Sequence, residues 1–156
     1  MALAVAGGVL AFLYWGSRDT SSAEIDRYLG TQATEIERAA VEIAELLTNY
    51  DADSIDAVGD RLLGLTTGEF RSDYEELLPG LGPALERARV SSTGDVVGDP
   101  EVAFSTADEA VALVRVEQTI RGTTDPRGRD VVVSMRFTFV RDQDEWMANG
   151  FALEGD

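Results

Sequence analysis

From Ile25 onward, the spacing of apolar residues changes once along this chain, at about Val90. Before that point, apolar side chains recur every three or four residues, the period of a helix with one buried face: Ile25, Leu29, Ala33, Ile36, Ala40, Ile43 and Leu47. After it, they alternate with polar side chains, as in strands with one buried face: Val131, Val133, Met135, Phe137 and Phe139. Helices followed by antiparallel strands predict an α+β domain in which helices cover one face of a curved sheet.

Three helices are predicted, over residues 22–50, 54–63 and 67–78. Ser21 and Glu24 have the spacing of a capping box at the start of the first helix. Asp53 and Asp56 are predicted to cap the second helix, and Gly64 is predicted to end it.

The third helix is bounded by a pair of threonines and a proline. It is predicted to begin at Thr66 or Thr67 and to stop at Pro79, because proline lacks the N–H that continues the helical ladder. Its predicted buried side chains are Phe70, Tyr74, Leu77 and Leu78. A further helical turn is predicted from Ala84 to Arg89.

Five strands are predicted between about residues 90 and 153. Two short ones lie near residues 90–97 and 101–105, and three longer ones near residues 110–120, 131–139 and 145–153. Residues 122–129, with Pro126 and Gly128, are predicted to connect two of the long strands. Residues 142–144 are predicted to form the hairpin turn into the last strand.

Residues 1–17 carry no charge, whereas the chain that follows is strongly acidic. As a helix this segment would span about 25 Å, slightly less than the roughly 30 Å hydrocarbon core of a bilayer. We therefore predict a transmembrane anchor over residues 1–17 and one α+β domain over residues 18–156. A buried core helix and a cleaved signal peptide are the less favoured alternatives. The candidate face for packing against other membrane helices consists of small residues: Ala4, Gly7, Gly8 and Ala11.

Composition excludes several classes of function. A net charge of −16 argues against nucleic acid binding, which needs clustered basic side chains. The chain contains no His, Cys or Lys, so Ser-His and Cys-His nucleophiles, Cys/His zinc sites and Schiff-base chemistry are impossible. Carboxylate acid-base chemistry assisted by Tyr, or a metal held by oxygen atoms, remains possible.

One segment matches part of a calcium-loop template. Asn49, Asp51, Asp53 and Asp60 fall at ligand positions, but Ser54 replaces the glycine that the sharp turn needs. Helix capping is therefore the favoured explanation for these acids. We predict no catalytic site, no cofactor and no metal site.

Several short stretches and single residues along the chain carry a resemblance to a known family: Ala39-Ala40, Leu46-Leu47, Tyr50-Asp51, Asp56, Leu65 to Phe70, Tyr74, Asp108 to Val111 and Trp146. On these residues, the chain resembles the actinobacterial Mce-associated membrane proteins over nearly its whole length. The resemblance implies a single-pass anchor in the cell membrane and an extracytoplasmic, cone-shaped NTF2-like domain. It also implies an accessory role beside Mce-type lipid transporter subunits.

The leading hypothesis is a non-enzymatic accessory subunit that associates with and stabilises an Mce-type lipid import complex. Four aromatic residues are candidates for the cavity or the core: Tyr50, Phe70, Tyr74 and Trp146. For Trp146 the core is favoured. One alternative is an NTF2-like isomerase or dehydratase with a cavity carboxylate as base and Tyr28, Tyr50 or Tyr74 as hydrogen-bond donor. Another is a carrier that holds a lipid in the cone, which requires a continuous apolar pocket of several hundred Å³.

Overall fold

Three helices precede five strands in the computed structural model, which describes residues 22–154. The helices are α1 (Ser22–Thr48), α2 (Ile55–Leu63) and α3 (Gly68–Ala88). The strands are β1 (Ser91–Val96), β2 (Glu101–Phe104), β3 (Glu109–Arg121), β4 (Arg129–Asp142) and β5 (Glu145–Glu154). The predicted α+β class, with three helices on an antiparallel sheet, is confirmed.

The predicted membrane anchor lies outside the described residues, together with its small-residue face and the Ser21 cap. Within residues 22–154, no helix is both long enough and apolar enough to cross a membrane.

The first helix lies on the sheet with its predicted apolar stripe inward. Ile36, Ala40 and Ile43 are fully buried. The helix ends at Thr48, whereas the apolar spacing predicted an end at residue 50. The reason is that Tyr50 pairs with β1, exchanging two backbone hydrogen bonds with Ser92 at 3.1 and 2.8 Å.

The turn into α2 is capped by Asp51, so the predicted caps, Asp53 and Asp56, are wrong. Asp51 Oδ1 accepts hydrogen bonds from the backbone N–H groups of Asp53, at 3.1 Å, and Ser54, at 2.8 Å. Hydrogen bonds from Ser54, chiefly from its backbone N–H, lower the pKa of the Asp51 carboxyl. The predicted end of the helix at Gly64 is confirmed.

The third helix is longer than predicted. It begins after Thr67, as expected, but continues through Pro79 and Pro83 to Ala88 instead of stopping at residue 78. Both prolines are exposed, so water can hydrate the carbonyl groups that lose a donor. Leu85 is buried in the last turns and holds this end of the helix against the protein.

All five predicted strands are present. Four of them follow each other across the sheet in the order β1-β3-β4-β5, and β2 pairs with the same edge of β3 as β1 does. Every pairing between these strands is antiparallel. The predicted hairpin turn before β5 is confirmed: Gln143 and Asp144 have φ values of 48° and 69°, as the tight turns of hairpins require.

A β-bulge in the last strand decides which of its side chains face the helices. Asn149 has no partner in the register between β4 and β5. Before the bulge, Trp146 and Ala148 face the core and are buried. After it, Phe151 and Leu153 lie on that same face, because one extra residue reverses the alternation. They are 40% and 62% exposed, so the helices cover only the first part of β5.

Residues after α1 complete the outer edge of β1. The amide of Asn49 donates to Gly94 O at 2.9 Å and accepts from Gly94 N–H at 3.0 Å, as a neighbouring strand would. The backbones can approach because Gly94 has no side chain: a Cβ there would lie 2.5 Å from Thr48 Cβ and 3.0 Å from Val116. This contact fixes Tyr50, the residue after Asn49, beside the sheet.

Candidate binding pocket

A mainly apolar pocket lies between the end of α1, the outer helix α3 and the second half of β5. Its volume is about 610 Å³, within the range of small-molecule sites. Its lining residues are Leu46, Leu47, Tyr50, Ile55, Glu69, Phe70, Asp73, Tyr74, Leu77, Leu81, Leu85, Asn149, Gly150 and Phe151. Three of the four predicted cavity or core residues, Tyr50, Phe70 and Tyr74, therefore meet here.

Stacked aromatic rings form the floor of the pocket beside the sheet. The ring of Phe151 stacks on Phe70, with centroids 5.6 Å apart, and on Phe137, at 5.5 Å. Phe137 is fully buried in the core, whereas Phe151 is 40% exposed. This stack joins the pocket directly to the core, and the packed rings stabilise the floor.

Two tyrosines line the pocket, Tyr50 beside the edge of the sheet and Tyr74 on α3. Burial raises the pKa of the Tyr74 hydroxyl, and the neighbouring Tyr50 adds to the rise. The Tyr74 hydroxyl therefore remains protonated at neutral pH.

Two carboxylates, Glu69 and Asp73, also line the pocket, from one side of α3. Both residues are exposed to solvent. Among the described residues, neither carboxylate is hydrogen-bonded to Tyr50 or Tyr74. The third tyrosine of the isomerase hypothesis, Tyr28, lies elsewhere and accepts a hydrogen bond from Arg141 at 2.8 Å. Within residues 22–154, none of these three tyrosines therefore forms the hydrogen bond to a carboxylate which that hypothesis requires.

The mouth of the pocket continues into exposed apolar side chains. Leu77 was predicted to be buried by α3 but is 59% exposed, because no described residue covers the helix at this point. Phe151 lies across the pocket from it, and Leu153 extends the same face of β5. We call the pocket together with Leu77, Phe151 and Leu153 the pocket face.

The fourth predicted residue, Trp146, lies away from the pocket. It is 7% exposed and belongs to the core, packing edge-on against Phe104 with centroids 6.0 Å apart. Its indole N–H donates to Gln32 Oε1 at 2.7 Å, and the guanidinium group of Arg141 lies 5.4 Å from its ring centre. The sequence favoured a core position for Trp146 over a cavity position, and this placement fits that expectation.

The sequence contained a signal for this cluster that our prediction missed. Gln32 lies three residues after Leu29 and four before Ile36, on the apolar stripe of α1. A polar side chain on a buried stripe needs a partner, and here the partners are Trp146 and Arg141.

Two of the four calcium-loop residues, Asn49 and Asp51, have structural partners as well. The side chain of Asn49 is bonded to Gly94, and that of Asp51 caps the following turn. Within residues 22–154, no group of three acidic side chains converges where it could hold a metal ion.

Comparison with known proteins identifies the fold. No family model and no curated protein matches the sequence. An IcmL-like type IV secretion system protein from Legionella pneumophila has a TM-score of 0.62 and 6% identity, over 78% of this chain and 91% of that one. CagV, a VirB8 homologue of the type IV secretion system of Helicobacter pylori, has a TM-score of 0.60 and 8% identity, over 79% and 98%.

A third solved structure is an NTF2-like protein with a cystatin-like fold from Novosphingobium aromaticivorans. Its TM-score is 0.58 and its identity 20%, over 88% of this chain and 90% of that one. At these identities the likeness establishes the fold alone. The predicted NTF2-like domain is therefore confirmed as a fold.

Proposed function

We propose that this chain is a non-enzymatic accessory subunit of a membrane complex, and that it contacts its partner through the pocket face. The observation that carries the proposal is the continuity of the pocket with three exposed apolar side chains. Leu77, Phe151 and Leu153 are 59%, 40% and 62% exposed. Clustered apolar side chains at the mouth of a pocket are typical of binding surfaces. A catalytic role has less support, because the pocket lacks a paired carboxylate and tyrosine.

The location is proposed from the anchor and the fold together. Residues 1–17 would hold the protein in the cell membrane, with the NTF2-like domain on the extracytoplasmic side. The similar folds of the Legionella and Helicobacter secretion-system proteins support a role in a membrane-spanning assembly. The resemblance to Mce-associated proteins makes the proposal more specific: the partners are Mce-type lipid transporter subunits.

Co-purification tests this proposal. The tagged full-length chain is isolated in mild detergent from its native host, and the bound proteins are quantified by mass spectrometry. We expect subunits of an Mce-type transporter in fixed ratio to the bait. Recovery of a different membrane complex would contradict the Mce assignment while supporting the accessory role, and recovery of the bait alone at full yield would contradict both.

The pocket supports a second candidate function, a carrier for an apolar ligand. A volume of about 610 Å³ with mostly apolar walls is what a bound lipid chain requires. Lipid extraction and mass spectrometry of the purified full-length chain would show one lipid per protein after extensive washing. A preparation without such a lipid would exclude a stable carrier.

A further inference from the structure

The rim of the pocket is acidic along one side of α3. Glu69 and Asp73 are four residues apart, so they lie one above the other on the helix surface. Neither forms a salt bridge with a described residue, whereas three other acids do, at Glu42, Glu75 and Glu154. The residues that line the pocket include no arginine. The negative charge at this rim is therefore available to a ligand.

The same side of the helix becomes apolar one turn later. Leu77 lies four residues beyond Asp73. Glu69, Asp73 and Leu77 therefore follow each other along about 12 Å of α3. Phe151 lies across the pocket from this row, and Leu153 follows Phe151 on the same face of β5. The pocket face is thus an apolar groove with one charged border, and its length suits two to three turns of a docked helix.

We propose that the pocket face binds a basic amphipathic segment of the partner protein. This inference deepens the proposed function and rests on it. Large apolar side chains of the segment would enter the pocket between Tyr74 and Phe151. Arginine or lysine side chains on its flank would lie opposite Glu69 and Asp73. The contact would therefore combine burial of apolar surface with complementary charge.

The acidic rim also discriminates between occupants. Fatty acids and anionic phospholipids would place their own negative charge against Glu69 and Asp73, and like charges in contact oppose binding. The net charge of −16 extends this preference beyond the rim, since it attracts basic partners and repels acidic ones before contact. A cationic amphipathic segment is the occupant that fits both the apolar walls and the charge.

A peptide of known design tests the chemistry directly. The full-length chain is placed in phosphatidylcholine nanodiscs and titrated with a labelled 14-residue peptide that carries leucines on one helical face and lysines on the other. Binding to empty nanodiscs is subtracted. We expect saturable binding, at least tenfold weaker when glutamates replace the lysines, and also weaker when the same residues are scrambled. Equal binding of the lysine and glutamate peptides would overturn the inference.

Charge-matched variants locate the binding site. The double variant Glu69→Gln with Asp73→Asn removes two negative charges at the rim, and Asp95→Asn with Glu117→Gln removes two on the outer face of the sheet. Asp95 and Glu117 are exposed and face each other across β1 and β3. We expect about fivefold weaker binding for the rim variant, and less than twofold for the control. Equal loss in both would mean attraction by net charge alone and would overturn the inference.

The same variants in the native host separate this inference from the proposed function. If the wild-type chain brings down a complex and the rim variant brings down less of it, the inference is supported. If both bring down the complex equally, the inference is wrong and the accessory role stands. If the wild-type chain brings down nothing while it still binds the peptide, the accessory role fails instead.

Discussion

Replacing Asn49 with alanine should destabilise the protein by about 2 kcal/mol. The substitution removes both hydrogen bonds between the Asn49 amide and Gly94, at 2.9 and 3.0 Å, and a third to the carbonyl of Glu45 at 3.0 Å. The two bonds to Gly94 are partly buried, and each is worth about 1 kcal/mol. The third is exposed to water and should add little. For a domain of this size, the loss corresponds to a fall in Tm of about 8 °C.

Urea unfolding followed by circular dichroism, on the full chain in mild detergent, measures this loss. Asn49→Asp should cost at least as much at pH 7, because a carboxylate would face the Gly94 carbonyl oxygen without a donor. The control is Thr31→Ala, which removes an exposed hydrogen bond to Arg27 O on the same helix and should cost less than about 0.5 kcal/mol. An Asn49→Ala variant as stable as the Thr31→Ala variant would refute the claim that Asn49 ties α1 to the sheet.

Three further predictions concern packing, a buried hydrogen bond and pH. Gly94→Ala should lower stability by about 2 kcal/mol in urea unfolding, because the new Cβ meets buried atoms; Gly30→Ala, with no atom in reach, should be neutral or stabilising. Gln32→Ala should cost about 2 kcal/mol and change the fluorescence of Trp146, which loses its acceptor; unchanged unfolding would contradict this role. Because the pKa of Tyr74 is raised in the folded state, the unfolded state ionises first, and stability should fall as pH rises above about 10. Tyr74→Phe should show a shallower fall, and identical pH profiles would be the contrary result.

Periodicity was enough to predict which segments of this fold form helices and which form strands. The strands were located because one of their faces packs on helices. Buried side chains therefore alternate with more exposed ones along β3, from Ala110, and along β4, to Phe139. The hydrophobic stripe of α1 was equally clear. The extent of α3 was not, because a proline inside a helix either kinks the helix or ends it, and the sequence pattern does not distinguish the two. Here that proline is exposed and the helix continues.

The pocket was only partly predictable for a different reason. Tyr50, Phe70 and Tyr74 were identified as candidates, but their meeting with Phe151 depends on the bulge at Asn149. A strict alternation from Trp146 would place position 151 on the opposite face. Gly150, which follows Asn149, was a local signal, because an isolated glycine inside a strand pattern suggests a bulge. It does not show which side chains the extra residue turns toward the helices, so the shape of the pocket mouth became visible only in three dimensions.

Photo-crosslinking in living cells tests the central claim, that the pocket face is the surface that contacts a partner. Leu77→benzoylphenylalanine places the reactive group at the pocket mouth, and Val132→benzoylphenylalanine places it on the other face of the sheet. The two native side chains are matched in exposure, at 59% and 60%. We predict that illumination joins position 77 to a second protein of the membrane complex and leaves position 132 without that adduct. Equal crosslinking at both positions, or crosslinking at position 132 alone, would contradict the account.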